Sequence, residues 1–108
     1  MEFRSVYITA RDAAEARLIG RLLVTEKLAA CASYFPVSSI YRWQGEIAEE
    51  PEFALILKTR ATLVEPLIAR VRAVHSYAVP CVVSWIIDCG SPPYLDWISA
   101  STLEAKSI

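Results

Sequence analysis

Two helix-start signals, each placed directly behind a strand-like run, constrain this chain more than any other feature. "RSVYITA" (4–10) is rich in β-branched and aromatic residues and reads as a strand, and Asp12 and Glu15 follow as a D-x-x-E signal close to a capping box. "PEFALILKT" (51–59) is another such run, with a T-x-x-E capping box behind it at Thr62 and Glu65. The spacing predicts a helix over about 12–27 with Ala16, Ile19, Gly20 and Leu23 on its buried face, widened by Leu18 and Leu22. It predicts a second helix over about 63–75 with a stripe of Leu67, Val71 and Val74, and Pro66 in its first turn.

Between these units, "LAACASYFP" (28–36) reads as a strand that stops at Pro36, and Gln44-Gly45 marks a tight reversal. Pro80 biases Val79 away from helical geometry, so "HSYAVP" leaves the second helix as a turn and "CVVSWIID" (81–88) is a fourth strand. Ser91 then caps a last helix with Pro92 at its first position. The order β-α-β-β-α-β plus a C-terminal helix is the split βαβ, or ferredoxin-like, α+β arrangement: an antiparallel sheet with two helices on one face. Unrelated activities share that fold.

The chain has 108 residues, enough for one domain with a real core, and residues 1–108 are read as that single domain. Hydrophobic residues make up 55%, more than one small domain can hide, so the excess points to a subunit interface. No run approaches the ~20 apolar residues of a membrane span. The start lacks the pattern of a signal peptide, and a cytoplasmic location with reduced thiols is expected. A net charge of −1 without basic clusters gives nucleic acid no electrostatic support.

The chemistry on offer is sparse. "HSYAVPC" (75–81) holds the only histidine, and Cys31, Cys81 and Cys89 are the three cysteines. Thiolate and imidazole suit copper or zinc, but the spacing matches no zinc signature. The alternative is buried cysteines acting as small hydrophobes and a histidine hydrogen-bonded at a helix end. No nucleophile loop surrounds any cysteine, so an enzyme built on Cys31 or Cys81 is least favoured. Glu46, Glu49, Glu50 and Glu52 read as a solvated loop. Three tryptophans exceed what a core this size needs, which favours interface use for Trp43 and Trp97.

In order, "VYITA", "LAAC" with Pro36, "YRWQGEI", "ILKT", "VRAVHSY" with Pro80 and "PPYLDWI" resemble the CutA family of divalent-cation tolerance proteins, from about Val6 to Ile98. The resemblance implies a tight homotrimer with strands paired between subunits, an architecture similar to that of the PII signalling proteins. It implies a small cytoplasmic protein linked to tolerance of copper and other divalent ions, with no established catalytic activity. Animal relatives are linked to the anchoring of acetylcholinesterase. Cys31 matches the family's cysteine of an A-C-x-N segment, and His75 and Tyr77 match its H-P-Y segment. Three departures stand out: Ser33 in place of asparagine, Ser76 in place of proline, and Cys81 in place of glutamate after Pro80.

With the strand order 4-1-3-2 of the fold, Cys31 and Cys81 lie on opposite edges, roughly 14 Å apart. Metal–sulfur bonds are about 2.3 Å. The expected metal site, made from Cys31, His75 and Cys81, therefore lies between subunits of a homotrimer, with no metal needed for folding. Tyr41, Trp43, Lys58, Tyr77 and Trp97 are expected to line the same cleft. Besides this non-enzymatic reading, a PII-like small-molecule sensor and a plain interaction scaffold remain open.

Overall fold

The computed structural model describes residues 1–104. The strands are β1 (Phe3–Ala10), β2 (Cys31–Trp43), β3 (Glu46–Arg60) and β4 (Val82–Ile87), and the helices are α1 (Ala13–Thr25), α2 (Val64–Val74) and α3 (Pro92–Ala100). The sheet runs β2-β3-β1-β4, every pair antiparallel. This is the ferredoxin-like α+β arrangement expected from the order of signals. No helix of the described residues is long and apolar enough to cross a membrane.

The pleat sorts the side chains. Val6 and Ile8 of β1, with Leu55 and Leu57 of β3, face α1 and α2 and meet Ile19, Leu23, Leu67 and Val71 in the main core. Leu18 lies outside it, 58% exposed, so the apolar stripe of α1 is narrower than the sequence pattern suggests. Alternate residues face the other way. There Phe3 and its β4 partner Ile87 pack with Leu95 and Ile98 of α3, which covers one end of this second face. Buried Arg60 ties the end of β3 to Thr102 through Nε to Oγ1 (3.0 Å) and Nη2 to the carbonyl (2.9 Å).

The second strand runs through Pro36, where the sequence pattern ends it, and β3 begins at Glu46 instead of residue 51. Pro36 pairs with Phe53 and Pro51 with Ser38. Both prolines sit where their strand has a free side: β2 is the sheet edge, and β1 stops opposite Phe53. A missing N–H costs no ladder bond there. The arm turns at Gln44 (φ 50°) and Gly45 (φ 82°), the paired left-handed conformation of a two-residue hairpin loop.

The helix starts depart from the sequence signals in two places. Thr62 lies inside a 3-10 turn, Ala61–Leu63, that leads into α2, and no side chain caps that helix. Ser91 precedes α3 without a side-chain cap; its carbonyl accepts from the N–H groups of Tyr94 and Leu95 instead. The two prolines after Ser91 have no N–H to offer. At α1 the signal holds, with Asp12 accepting from Glu15 N at 2.8 Å.

Candidate functional site

The free arm of the β2–β3 hairpin extends past the end of β1 and bounds a cleft of ≈ 690 Å³ with β1 and the turn before β4. Tyr7, Tyr41, Trp43 and Tyr77 supply aromatic surface to it, and Glu52 and Cys81 supply a carboxylate and a thiol. No lysine or arginine is among the described residues that line it. Glu52 is 7% exposed and accepts from the Tyr77 hydroxyl at 2.6 Å through Oε2. The Tyr41 hydroxyl donates to Glu50.

These neighbours keep the acidic hydrogens in place. Burial, the bond to Glu52 and the negative charge of that carboxylate push the Tyr77 phenol well above its ordinary range. Burial pushes the Cys81 thiol up, a hydrogen bond with Thr9 works against that, and the Glu52 charge adds to the rise. A raised thiol is a poor nucleophile.

His75 ends α2 with its side chain fully buried. Nδ1 accepts from Tyr77 N at 3.0 Å, and Nε2 lies 2.8 Å from the Thr9 carbonyl, to which it donates in the neutral ring. Both nitrogens are committed to partners within this protomer. The ring anchors the Ser76–Cys81 turn to β1. Glu15 anchors it from the other side, accepting from Ser76 N (2.8 Å) and Ser76 Oγ (2.9 Å) as well as from Arg11 N (3.0 Å).

The remaining expected residues lie elsewhere. Cys31 opens β2 in register with Lys58, and its Sγ is 3.5 Å from the Tyr94 hydroxyl of α3. That bond, with burial and the charge of Cys31, pushes the Tyr94 phenol up to about 12. Trp97 packs on Tyr94 with ring centroids 5.5 Å apart and shares a shallow depression with Cys31, Tyr34 and Arg21. The structure thus joins Tyr41, Trp43 and Tyr77 with Cys81, and separates Cys31, Lys58 and Trp97 from them. Cys89 is exposed beyond β4.

Within one protomer the donors do not fit a metal ion. Among the described residues no three His, Cys, Asp or Glu side chains converge. Cys31 is level with Ser5, and Cys81 lies across from Thr9 beyond the other edge, so three strand spacings and four residues separate them, roughly 20 Å.

Two polar groups that shape this region carry other roles in the sequence pattern. Glu52 falls on the alternation of Ala54 and Ile56, facing away from α1 and α2, so it is a buried strand residue and not part of a solvated loop. Period-two counting back from Lys58 finds it. Glu15 serves first as a helix-start residue, and nothing in the sequence reports its reach to Ser76.

Comparison with known proteins gives one consistent result. The family described as CutA1 divalent ion tolerance protein matches residues 4–101. The divalent-cation tolerance protein CutA of Thermus thermophilus is 44% identical over 98 residues, 90% of this chain and 95% of that one. Its counterpart from Archaeoglobus fulgidus is 42% identical over 93 residues, 86% of this chain and 91% of that one. The chain spans 54% of the chloroplastic CutA of Arabidopsis thaliana, at 41% identity. Among solved structures, the periplasmic divalent cation tolerance protein CutA from Archaeoglobus fulgidus superposes with a TM-score of 0.90 at 39% identity, covering 92% of this chain and 97% of that one. CutA1 from Oryza sativa does so with a TM-score of 0.93 at 35% identity, covering 96% of each.

Proposed function

The chain belongs to the CutA1 divalent ion tolerance family, and we propose that it works as a non-catalytic homotrimer that takes up copper or zinc at the boundary between copies. The observation that carries this reading is the placement of Cys31 and Cys81 at opposite edges and opposite ends of one sheet. No ion spans that distance in one protomer, but an edge of one copy set against the other edge of the next brings the two cysteine-bearing edges together. The thiols of Cys31 and Cys81 are the ligands in this reading, and His75 positions the turn that carries Cys81. Thiolate donors favour Cu(I) or zinc. Up to three such sites follow from threefold symmetry.

A second feature supports the trimer. Away from α3, the second face of the sheet carries Phe35, Val83 and Trp85 at 37%, 48% and 54% exposure. Apolar surface of this kind on an open sheet with two free edges is an interface in search of its other half. The working location is a reducing compartment, the cytoplasm in the first instance, because the ligands are thiols.

The test is a native mass spectrum of the reduced protein with and without a small excess of Cu(I) or zinc. A trimer that takes up a whole number of ions per subunit supports the reading. A trimer that takes up none removes the metal from it. In that case the cleft under the hairpin arm favours the alternative, a PII-like small-molecule signalling protein.

A further inference from the structure

We propose that His75 and Glu15 form an acid-operated latch on the turn between α2 and β4: a proton taken up at His75 Nδ1 releases the Tyr77 N–H and hands the charged ring to the Glu15 carboxylate. The latch lies within one protomer and needs neither a bound metal nor a second copy.

Geometry fixes the closed state. The His75 side chain, the only imidazole of the chain, is fully buried. Nε2 lies 2.8 Å from the Thr9 carbonyl, which can only accept, so Nε2 carries the ring proton. Nδ1 keeps its lone pair and accepts from Tyr77 N at 3.0 Å. One tautomer of the neutral ring satisfies both contacts. The charged ring satisfies only one, because a proton on Nδ1 sets two donors against each other. The Tyr77 N–H then has to give way.

The partner for the open state is already in place. Glu15 is buried, with Oε2 3.8 Å from Nδ1. A shift of about 1 Å brings that pair to hydrogen-bonding distance. Oε2 also accepts from Ser76 N at 2.8 Å, and a carboxylate oxygen has room for a second donor. Ser76 therefore stays pinned while Tyr77 is freed, and the segment that loosens is 77–80, which leads to Cys81. Histidine is the side chain that ordinarily changes charge in mildly acidic water. Against burial, which raises it, the bonds from Arg11 and Ser76 hold the Glu15 carboxyl below its ordinary 4.5, so it is still a carboxylate in that range.

The other groups around the ring leave this exchange to Glu15. At the start of α1, Arg11 has Nη1 4.0 Å from Glu15 Oε2 and pairs through Nε with Asp12 at 3.3 Å. β1 contributes the Thr9 carbonyl, and Cys81 bonds with Thr9. The Tyr77 ring lies 4.8 Å from the imidazole, and its hydroxyl donates to Glu52 of β3 at 2.6 Å. On α2 itself, Arg70 is paired with Glu26 and Arg72 is exposed. The ring has no surface open to solvent, so a neighbouring copy has no access to it.

The test is an NMR titration of the reduced protein as it assembles, from neutral pH down to acid unfolding. With one histidine in the chain, the imidazole nitrogen signals belong to His75 alone. They are expected to report the Nε2–H tautomer first and then a proton at Nδ1. Over the same pH interval the hydrogen-exchange protection factor of the Tyr77 amide is expected to fall at least tenfold, while those of Ser76 and Ile8 hold. His75→Asn keeps an acceptor for the Tyr77 N–H and loses the titration, so its Tyr77 protection is expected to stay level. Glu15→Gln is expected to move the midpoint of the ring to lower pH by roughly half a pH unit or more, because the charged form loses its counter-ion. A ring that stays neutral until Ile8 exchanges overturns the latch, as does proton uptake with Tyr77 still protected. Loss of Tyr77 protection at the same pH in His75→Asn assigns the release to another group and overturns it too. An unchanged midpoint in a folded Glu15→Gln variant removes Glu15 and overturns the pair; should that variant fail to fold, the parent titration and His75→Asn decide alone.

Discussion

Ser76 gives the Glu15 carboxylate both its backbone N–H and its hydroxyl, at 2.8 and 2.9 Å, across 61 residues of sequence. The family pattern places proline at this position, and proline offers neither donor. The two hydrogen bonds to this largely buried carboxylate close the start of α1 onto the end of α2.

Ser76→Pro is therefore expected to lower stability. Losing two donors to a charged acceptor costs about 1–3 kcal/mol, offset by about 0.4–1 kcal/mol from the stiffer unfolded chain. Urea unfolding of the two proteins side by side measures it. A proline variant as stable as the parent would mean that water replaces both bonds in full.

The same carboxylate sets an acid limit. Burial raises its pKa, but the bonds from Arg11 and Ser76 and the nearby His75 outweigh that, and the group titrates below its ordinary 4.5. The unfolded chain thus binds the proton first, so this stabilisation is complete above pH ~4.5 and fades as pH falls through the lower folded value. Unfolding free energies from about pH 6 to pH 3 are expected to fall less steeply in Glu15→Gln. Parallel curves would assign the acid sensitivity to other groups.

Trp85→Glu is expected to disrupt assembly without unfolding the subunit. The indole is 54% exposed on the uncovered face and stacks edge-on with Tyr7 at 6.0 Å, outside the main core. A charge there opposes burial against a second copy. Light scattering with circular dichroism distinguishes the outcomes: a folded monomer supports the interface, and an intact trimer places the interface elsewhere.

Cys31→Ser and Cys81→Ser are each expected to weaken copper or zinc uptake at least tenfold while the trimer persists. Competition against a chromogenic chelator reads the affinity. A loss in one variant alone would assign the site to that cysteine's edge; unchanged affinity in both would move the metal off these residues.

Much of the fold was legible because its signals are local. Residues 6–10 of β1 alternate, Asp12 caps α1 as its spacing says, and Gln44-Gly45 turns the hairpin. The errors come where tertiary context decides. Pro36 reads as a stop unless one knows that β2 is an edge strand, and Thr62 reads as a cap until a 3-10 turn takes its place. The site was less legible. Within one protomer Tyr41, Trp43, Tyr77 and Cys81 converge while Lys58 and Trp97 lie with Cys31 at the other end of the sheet, and composition carries no information about ends. The histidine that attracted most interest is used up by Thr9 and Tyr77, a fact set by contacts from β1 that no spacing rule contains.

From loop closure, the long hairpin arm is also expected to form ahead of the β1–β4 ladder. Its register runs from Trp43 opposite Glu46 outward, so each pair closes a short loop and the arm zips from its turn. The β1–β4 ladder joins Arg4 to Ile86, and it closes most of the chain at once. The cleft is lined from both, Trp43 from the arm and Tyr7 with Cys81 from the β1–β4 side, so it is complete only once that ladder has closed. Closure of the cleft on refolding is thus expected to lag behind any signal from the arm alone.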